Sequence, residues 1–173
     1  MTDGGAGVVD PERILVEEDE GWRALHRTLH RIPAERMDEP TVTPEGWSPK
    51  DVSFHVAAWL AEACASLQRM KAGTFDPTED PTREQIERMN AAWFEASLTM
   101  DLATVRAELE ASRACMRLAW GELPEITPDA WSWFDESGPR HYADHVRDLR
   151  RWLGDEDGDA GGSAGGSAAG APR

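Results

Sequence analysis

Three of the five histidines in this 173-residue chain are candidates for metal binding: His55, His141 and His145. His141 and His145 are four residues apart, so on a helix both imidazoles lie on one face and can reach a single ion. Together with His55 they would supply three neutral nitrogen ligands from two helices. Three protein ligands leave a coordination position open for water or substrate, as catalytic zinc-type sites require. Such a site would lower the pKa of a bound water or thiol, or polarise a carbonyl, without a side-chain nucleophile.

His55 lies in a segment with a clear helix start, GWSPKDVSFHVAAW. Ser48 is a preferred N-cap residue, Pro49 suits the first helical position, and Asp51 places negative charge near the helix N-terminus. Apolar residues then recur at three- and four-residue steps, which predicts a helix packed on a core: Val52, Val56, Trp59, Ala63, Leu67 and Met70. His55 lies about 80° from the centre of this stripe. We expect it to face a cleft between helices, with a hydrogen-bonded, half-buried structural histidine as the alternative.

The other two histidines, His26 and His30, also have a four-residue spacing, on the first predicted helix. Their spacing alone would permit chelation of a metal. Helical geometry places His30 about 120° from the centre of the apolar stripe and His26 at its margin. We therefore expect His30 to be solvated and assign the site to the other three histidines. For His141 and His145, the structural alternative is a favourable interaction with the C-terminal half of the helix dipole.

Cap signals and apolar periodicity predict the helices that must position these residues. Alternation typical of β-strands is absent from the sequence, and long helices with a cross-connection predict an all-α four-helix bundle. Leu123–Pro139, with three prolines and an aromatic group, is expected to be a long covering loop. Whether Arg83–Leu118 forms one kinked helix or two is left open. The predicted helices run from Pro11 to about Ile32, from Ser48 to Ala72, from Asp101 to about Gly121, and from Pro139 to Leu153, and a further helix starts near Thr82.

Composition predicts a single soluble, cytoplasmic domain. We expect a bundle over residues 11–153, between a Gly-rich, acidic segment (1–10) and a Gly/Ala/Ser-rich acidic tail (154–173), both without fixed structure. The net charge of −15 argues against nucleic acid as a partner, and no apolar run or leader pattern indicates a membrane or secretory segment. Cys64 and Cys115 do not have a CxxC spacing and are expected to be small, reduced core residues.

Residues near the histidines are weaker candidates. Asn90 and Trp93, on the inner side of the third helix, are candidates for the wall of a cofactor or substrate pocket, with core packing as the alternative for Trp93. Glu136 and Asp144 are candidates for a proton relay or for acceptors next to the metal ligands. The alternative for these two carboxylates is solvated surface charge.

The segments GWSPKDVSFHVAAW and RHYADHVRDLRRWL, about ninety residues apart, resemble the DinB-like four-helix bundle superfamily. The middle segment, MNAAWFEASLTMDLATVRAELEASRACM, resembles the members grouped with mycothiol-dependent maleylpyruvate isomerase and with the ClbS/DfsB proteins. The resemblance covers about Glu12 to Leu153. It implies a DinB-like bundle that binds a divalent metal, commonly zinc or nickel, through His55, His141 and His145. Some isomerase members have a carboxylate where this chain has His141, which is closer to the all-histidine DinB and bacillithiol-transferase pattern.

The resemblance further implies that the metal activates a low-molecular-weight thiol, such as mycothiol, for attack on a small electrophile. The leading hypothesis is therefore a metal-dependent thiol S-transferase or isomerase in which the metal-bound thiolate is the nucleophile. A metal-dependent hydrolase in detoxification or self-resistance would use the same site with water. A non-catalytic scaffold or binding bundle is the third hypothesis, and a homodimer is compatible with all three.

Overall fold

The computed structural model describes residues 11–155, which form helices joined by loops and contain no β-strand. This confirms the predicted all-α class. The tail segments 1–10 and 156–173 lie outside the described residues, so the predicted domain boundaries and flexible tails stay predictions. No helix of the described part is long and apolar enough to span a membrane. The α-helices are α1 (Pro11–His30), α2 (Pro49–Ala72), α3 (Arg83–Ser97), α4 (Leu102–Gly121), α5 (Pro128–Ser137) and α6 (Pro139–Leu153).

Helix α2, which carries His55, begins and ends where the sequence predicts. The Ser48 hydroxyl accepts a hydrogen bond from the Asp51 backbone N–H at 3.2 Å, and the Asp51 carboxylate accepts one from the Ser48 N–H at 2.9 Å. This reciprocal capping box satisfies two backbone donors that the first helical turn would otherwise leave unpaired. Gly73 ends the helix in the left-handed conformation at φ 69°, which glycine adopts without steric cost.

The chain between Ser97 and Leu102 separates α3 from α4, so the segment left open in the sequence forms two helices. Asp101 is the N-cap of α4, and its carboxylate accepts from the Thr104 N–H at 2.7 Å. Two large apolar side chains of this region are exposed: Leu98, the C-cap of α3, by 54% and Leu118 on α4 by 64%.

The core is formed where α2 packs along α4 and α1 packs along α6, with α3 and α5 against α2. Apolar residues at helical spacing bury one face of each long helix, and this burial is the main stabilising term of the bundle. The largest fully buried apolar and aromatic side chains are Trp59, Tyr142, Phe134, Ile14, Leu25, Met37, Leu60, Leu67, Met116 and Leu149.

The predicted covering loop over Leu123–Pro139 is wrong, because most of it forms helix α5. Thr127 is the N-cap, its hydroxyl accepting from the Ala130 N–H at 3.1 Å, and Pro128 occupies the first helical turn. These are the same start signals that identify α2. Gly138 then separates α5 from α6; a Cβ there would lie 2.8 Å from the Phe134 carbonyl oxygen, so a larger residue cannot fit without a shift.

The prediction of two reduced cysteines is also wrong, because Cys64 on α2 and Cys115 on α4 form a disulfide. Their separation of 51 residues has no local sequence pattern that indicates pairing. The two sulfurs meet because α2 and α4 pack along each other. Cys64 is buried in the core, as predicted, whereas Cys115 is half-buried.

Candidate metal centre

The three histidines predicted from the sequence come together between α2 and α6. All are buried, with His55 and His141 4% exposed and His145 3% exposed. The Nε2 atom of His141 lies 3.0 Å from that of His55 and 3.0 Å from that of His145. One ligand atom from each ring lies within 4.8 Å of the others, so the three histidines can hold a metal ion. For comparison, two nitrogens bound tetrahedrally to one zinc ion are about 3.3 Å apart.

Hydrogen bonding among the rings does not account for this convergence. An imidazole nitrogen carries either one proton or one lone pair in the ring plane, so it forms one hydrogen bond at a time. Nε2 of His141 faces two other Nε2 atoms at equal distance, and it can pair with only one of them. Three ring nitrogens directed at one point are the donor set that a zinc-like cation requires. The residues present therefore fit a divalent metal.

The electrostatics of the site favour neutral imidazoles, which is the protonation state that binds metal. Burial lowers the pKa of His55 and of His141 well below its usual value, and neighbouring histidines add to the effect. Burial also lowers the pKa of His145 to about 4, against a partial increase from Asp144 and Glu45. At neutral pH all three rings are uncharged, so their lone pairs are available without loss of a proton.

A carboxylate on α6 lies beside one of the site histidines. Asp148, which the sequence analysis did not identify, has its Oδ2 atom 3.8 Å from Nδ1 of His145. Because the two residues are three positions apart on a helix, a search for neighbouring carboxylates would have found it. Of the predicted candidates, Asp144 pairs with Arg147 at 2.8 Å, and Glu136 accepts from the Ser132 hydroxyl at 3.1 Å. The roles proposed for Asp144 and Glu136 at the site stay predictions.

Aromatic side chains pack against His55. The ring of Trp93 lies edge-on to His55 at 6.4 Å and edge-on to Trp59 at 5.0 Å. The side-chain oxygen of Asn90 accepts from the Trp59 indole N–H at 3.1 Å, so Asn90 orients the aromatic cluster. Trp47, which sequence reasoning missed, is nearer to His55 than Trp93 is, at 4.7 Å. It lies in a loop before α2, where periodicity gives no signal.

His26 and His30 do not belong to this site. His30 is exposed and its Nδ1 atom lies 2.8 Å from the His26 carbonyl oxygen, while His26 lies 3.2 Å from the Glu110 carboxylate. The exposure of His30 and the half-burial of His26 agree with the helical geometry predicted above. In the described residues, the cluster of potential metal ligands consists of His55, His141 and His145 alone.

Fold and site together define an all-α bundle with a buried three-histidine cluster between two helices. No protein-family profile and no curated protein matches the sequence. Solved structures do match it in fold. One is the crystal structure of an uncharacterised protein from Escherichia coli UTI89, with a TM-score of 0.67, 14% identity, 85% of this chain covered and 94% of that chain covered.

A second similar structure is that of the mycothiol-dependent maleylpyruvate isomerase, with a TM-score of 0.61 and 22% identity over 82% of this chain. The chain spans 61% of the length of that protein. Both matches have the DinB-like helical fold, and the predicted DinB-like four-helix bundle is thereby confirmed. At these identities the likeness concerns the fold.

Proposed function

We propose that this protein binds a divalent metal ion through His55, His141 and His145 and acts as a metal-dependent thiol S-transferase or isomerase on small electrophiles. The observation that carries the proposal is the convergence of three buried, neutral imidazole nitrogens within 4.8 Å. A divalent ion held there would act as a Lewis acid that lowers the pKa of a low-molecular-weight thiol. Zinc and nickel are the preferred candidates because imidazole nitrogen suits both.

The choice of a thiol, rather than water, rests on the fold likeness to a protein whose name includes mycothiol dependence. We propose mycothiol or a thiol of the same type as the cosubstrate. The chain's own contribution would be to hold the three imidazoles at fixed separation, to keep them unprotonated by burial, and to exclude water with the aromatic side chains around His55. Metal-dependent hydrolysis, with water in place of the thiol, is the competing activity at the same site.

Metal binding is tested on protein purified without a histidine tag. Elemental mass spectrometry measures the amount of bound metal per protein chain. We expect near-stoichiometric zinc or nickel in the wild type and loss of it in His145→Ala. His30→Ala is the matched control, because His30 is an exposed histidine outside the cluster. Wild-type protein that is metal-free and takes up neither ion on addition would refute the proposed site and favour the scaffold hypothesis.

The thiol is tested by following consumption of small electrophiles with metal-loaded protein, with and without mycothiol. We expect turnover that needs both metal and thiol and is absent in His145→Ala. Turnover that persists without any thiol would refute S-transfer and assign the site to metal-dependent hydrolysis.

A further inference from the structure

The three candidate metal ligands are enclosed by the protein, since each of these histidines is at most 4% exposed. A catalytic metal keeps one coordination position for water or substrate. A ligand for that position must pass through space that side chains fill, so an element packed against the histidines has to move. Two elements contact His55 from outside the pair of ligand-bearing helices: α3, through Trp93, and the segment before α2, through Trp47.

Helix α3 is tied to α2 by polar side chains. The Asn90 side-chain oxygen accepts a hydrogen bond from the Trp59 indole N–H at 3.1 Å. At the end of α3, the Ser97 hydroxyl donates to an oxygen of the Asp51 carboxylate, 2.6 Å away, and this bond is buried. A movement of α3 would break both bonds in a poorly hydrated environment, which is costly. The segment before α2 is therefore the element that can move.

This segment lies across the face of α6 that carries the histidines. We define the lid segment as residues 40–47, PTVTPEGW. The carbonyl oxygen of its first residue accepts from the Trp152 indole N–H at 3.3 Å, and its last residue, Trp47, lies 4.7 Å from His55. Trp152 follows His145 by about two helical turns, so the two side chains lie on one face of α6. The lid segment thus runs from α6 to α2 over the side where the histidines meet.

The closed conformation of the lid segment is strained. Thr41 has a φ of 81°, a left-handed conformation that a β-branched residue adopts only at a steric cost. The Thr43 hydroxyl is buried and has no hydrogen-bond partner among the described residues. A hydroxyl of this kind regains hydrogen bonds when it reaches water. Opening of the lid segment would therefore relax Thr41 and hydrate Thr43.

Backbone hydrogen bonds and one aromatic side chain hold the lid segment closed. The Val42 N–H donates to the Trp47 carbonyl at 2.8 Å, and the Gly46 N–H donates to the Thr43 carbonyl at 2.9 Å. The Trp47 ring also stacks on Phe94, 6.0 Å away, with the two planes 9° apart. These contacts are local, so they can break without unfolding of the helices.

We propose that the lid segment opens by backbone rotation at Thr41 and Gly46, its two residues of positive φ, and that opening moves Trp47 away from His55 and gives ligands access to the three histidines. A few residues that absorb a change in φ and ψ are sufficient to move a short loop over a site. The inference rests on the proposed function, since it concerns access to the same site. Opening is a property of the chain itself and needs neither metal nor thiol, so it is tested separately.

The test measures the chemical accessibility of each histidine with diethyl pyrocarbonate, which modifies uncharged imidazoles that it can reach. The full-length chain is freed of metal by dialysis against a chelator and is treated with the reagent at neutral pH. Mass spectrometry of peptides then gives a modification rate for each histidine. In the wild type we expect the exposed His30 to react fast, and the three site histidines to react slowly, through opening of the lid segment.

Gly46→Ala should accelerate modification of the site histidines by about fivefold to tenfold, because alanine is strained in a left-handed conformation and the closed lid segment requires a φ of 90° there. The added Cβ meets no atom within 4 Å, so the effect is conformational and does not come from a clash. Gly73→Ala is the matched control. Gly73 also has a positive φ and open space for a Cβ, but it ends α2 outside the lid segment, so its substitution should leave these rates unchanged.

Thr41→Gly should have the opposite effect and slow modification of the site histidines by about threefold or more, because glycine removes the strain from the closed conformation. The rate at His30 should be the same in all variants, and circular dichroism verifies that each is folded. Unchanged rates in Gly46→Ala and Thr41→Gly, equal acceleration in Gly46→Ala and Gly73→Ala, or site histidines that react as fast as His30 in the wild type would overturn the inference. Protein that shows the expected rates but binds no metal would refute only the proposed function.

Discussion

Reduction of the Cys64–Cys115 disulfide should destabilise the folded protein without removing any side chain. The disulfide joins α2 to α4 across a sequence separation of 51 residues. In the chain-entropy account, a cross-link restricts the unfolded chain, and its effect grows with the logarithm of the loop length. For this separation the relation gives about 4 kcal/mol at room temperature, an upper value because reduced unfolded chains keep some structure.

This loss can be measured by urea unfolding, followed by circular dichroism. With an unfolding slope of about 2 kcal/mol per molar urea, a loss of 4 kcal/mol corresponds to about a 2 M decrease in the midpoint. The wild type is compared with and without a phosphine reductant. Titration of thiols under denaturing conditions shows whether the disulfide is present, since Cys64 and Cys115 are the two cysteines of the chain.

Cys115→Ala provides the control for the reductant. It has no disulfide to reduce, so its midpoint should be low and the same in both conditions. It is preferred to a Cys64 variant because Cys115 is half-buried and truncation there leaves a smaller cavity in the core. Two titratable thiols in the untreated protein, or equal midpoints before and after reduction, would refute the reasoning.

Two further predictions concern single carboxylates. Glu18 on α1 is fully buried and accepts hydrogen bonds from Arg113 at 2.7 and 2.9 Å and from the Tyr142 hydroxyl at 3.1 Å. Glu18→Ala should therefore lower the free energy of unfolding by about 3–5 kcal/mol, because it leaves the buried arginine without its partner. Glu17→Ala, at a more exposed carboxylate, should change the free energy of unfolding by less than about 1 kcal/mol. Urea unfolding measures both, and equal effects would contradict a role for burial. Asp148→Asn should weaken zinc binding about tenfold or more in a chelator competition, because the Asp148 carboxylate lies beside Nδ1 of His145, a candidate ligand. Asp144→Asn, on the same helix, should bind zinc nearly normally. A larger loss of zinc affinity in Asp144→Asn than in Asp148→Asn would show that proximity to Nδ1 does not determine the effect.

Local signals in the sequence were sufficient for most of the helices. Ser48, Pro49 and Asp51 mark the start of α2 because capping involves residues within one turn of each other, and Gly73 marks its end for the same reason. Thr127 and Pro128 carried an equivalent signal for α5, but the prolines around them were interpreted as loop residues. That error lay in the interpretation, since the information was present.

The part of the candidate site that lies on α6 could be predicted because its two histidines are close together in the sequence. His141 and His145 share a helix face by spacing alone, and α6 has that face buried. His55 was joined to this pair by its place beside the apolar stripe of α2 and by resemblance to a family, because no local rule connects residues 86 positions apart. The structure brings His55 and His141 within hydrogen-bonding distance, and their assignment as metal ligands stays a prediction until metal is measured.

Contacts between distant helices required the folded structure. The Cys64–Cys115 disulfide, the Glu18–Arg113 ion pair and the position of Trp47 against His55 each depend on how helices and loops pack in three dimensions. Periodicity identifies which face of a helix is buried, but it does not identify the helix that covers that face or the register between the two. The amino-acid sequence alone thus indicated the helices and the pair of histidines on α6, whereas packing in three dimensions determined the partners of each buried polar side chain.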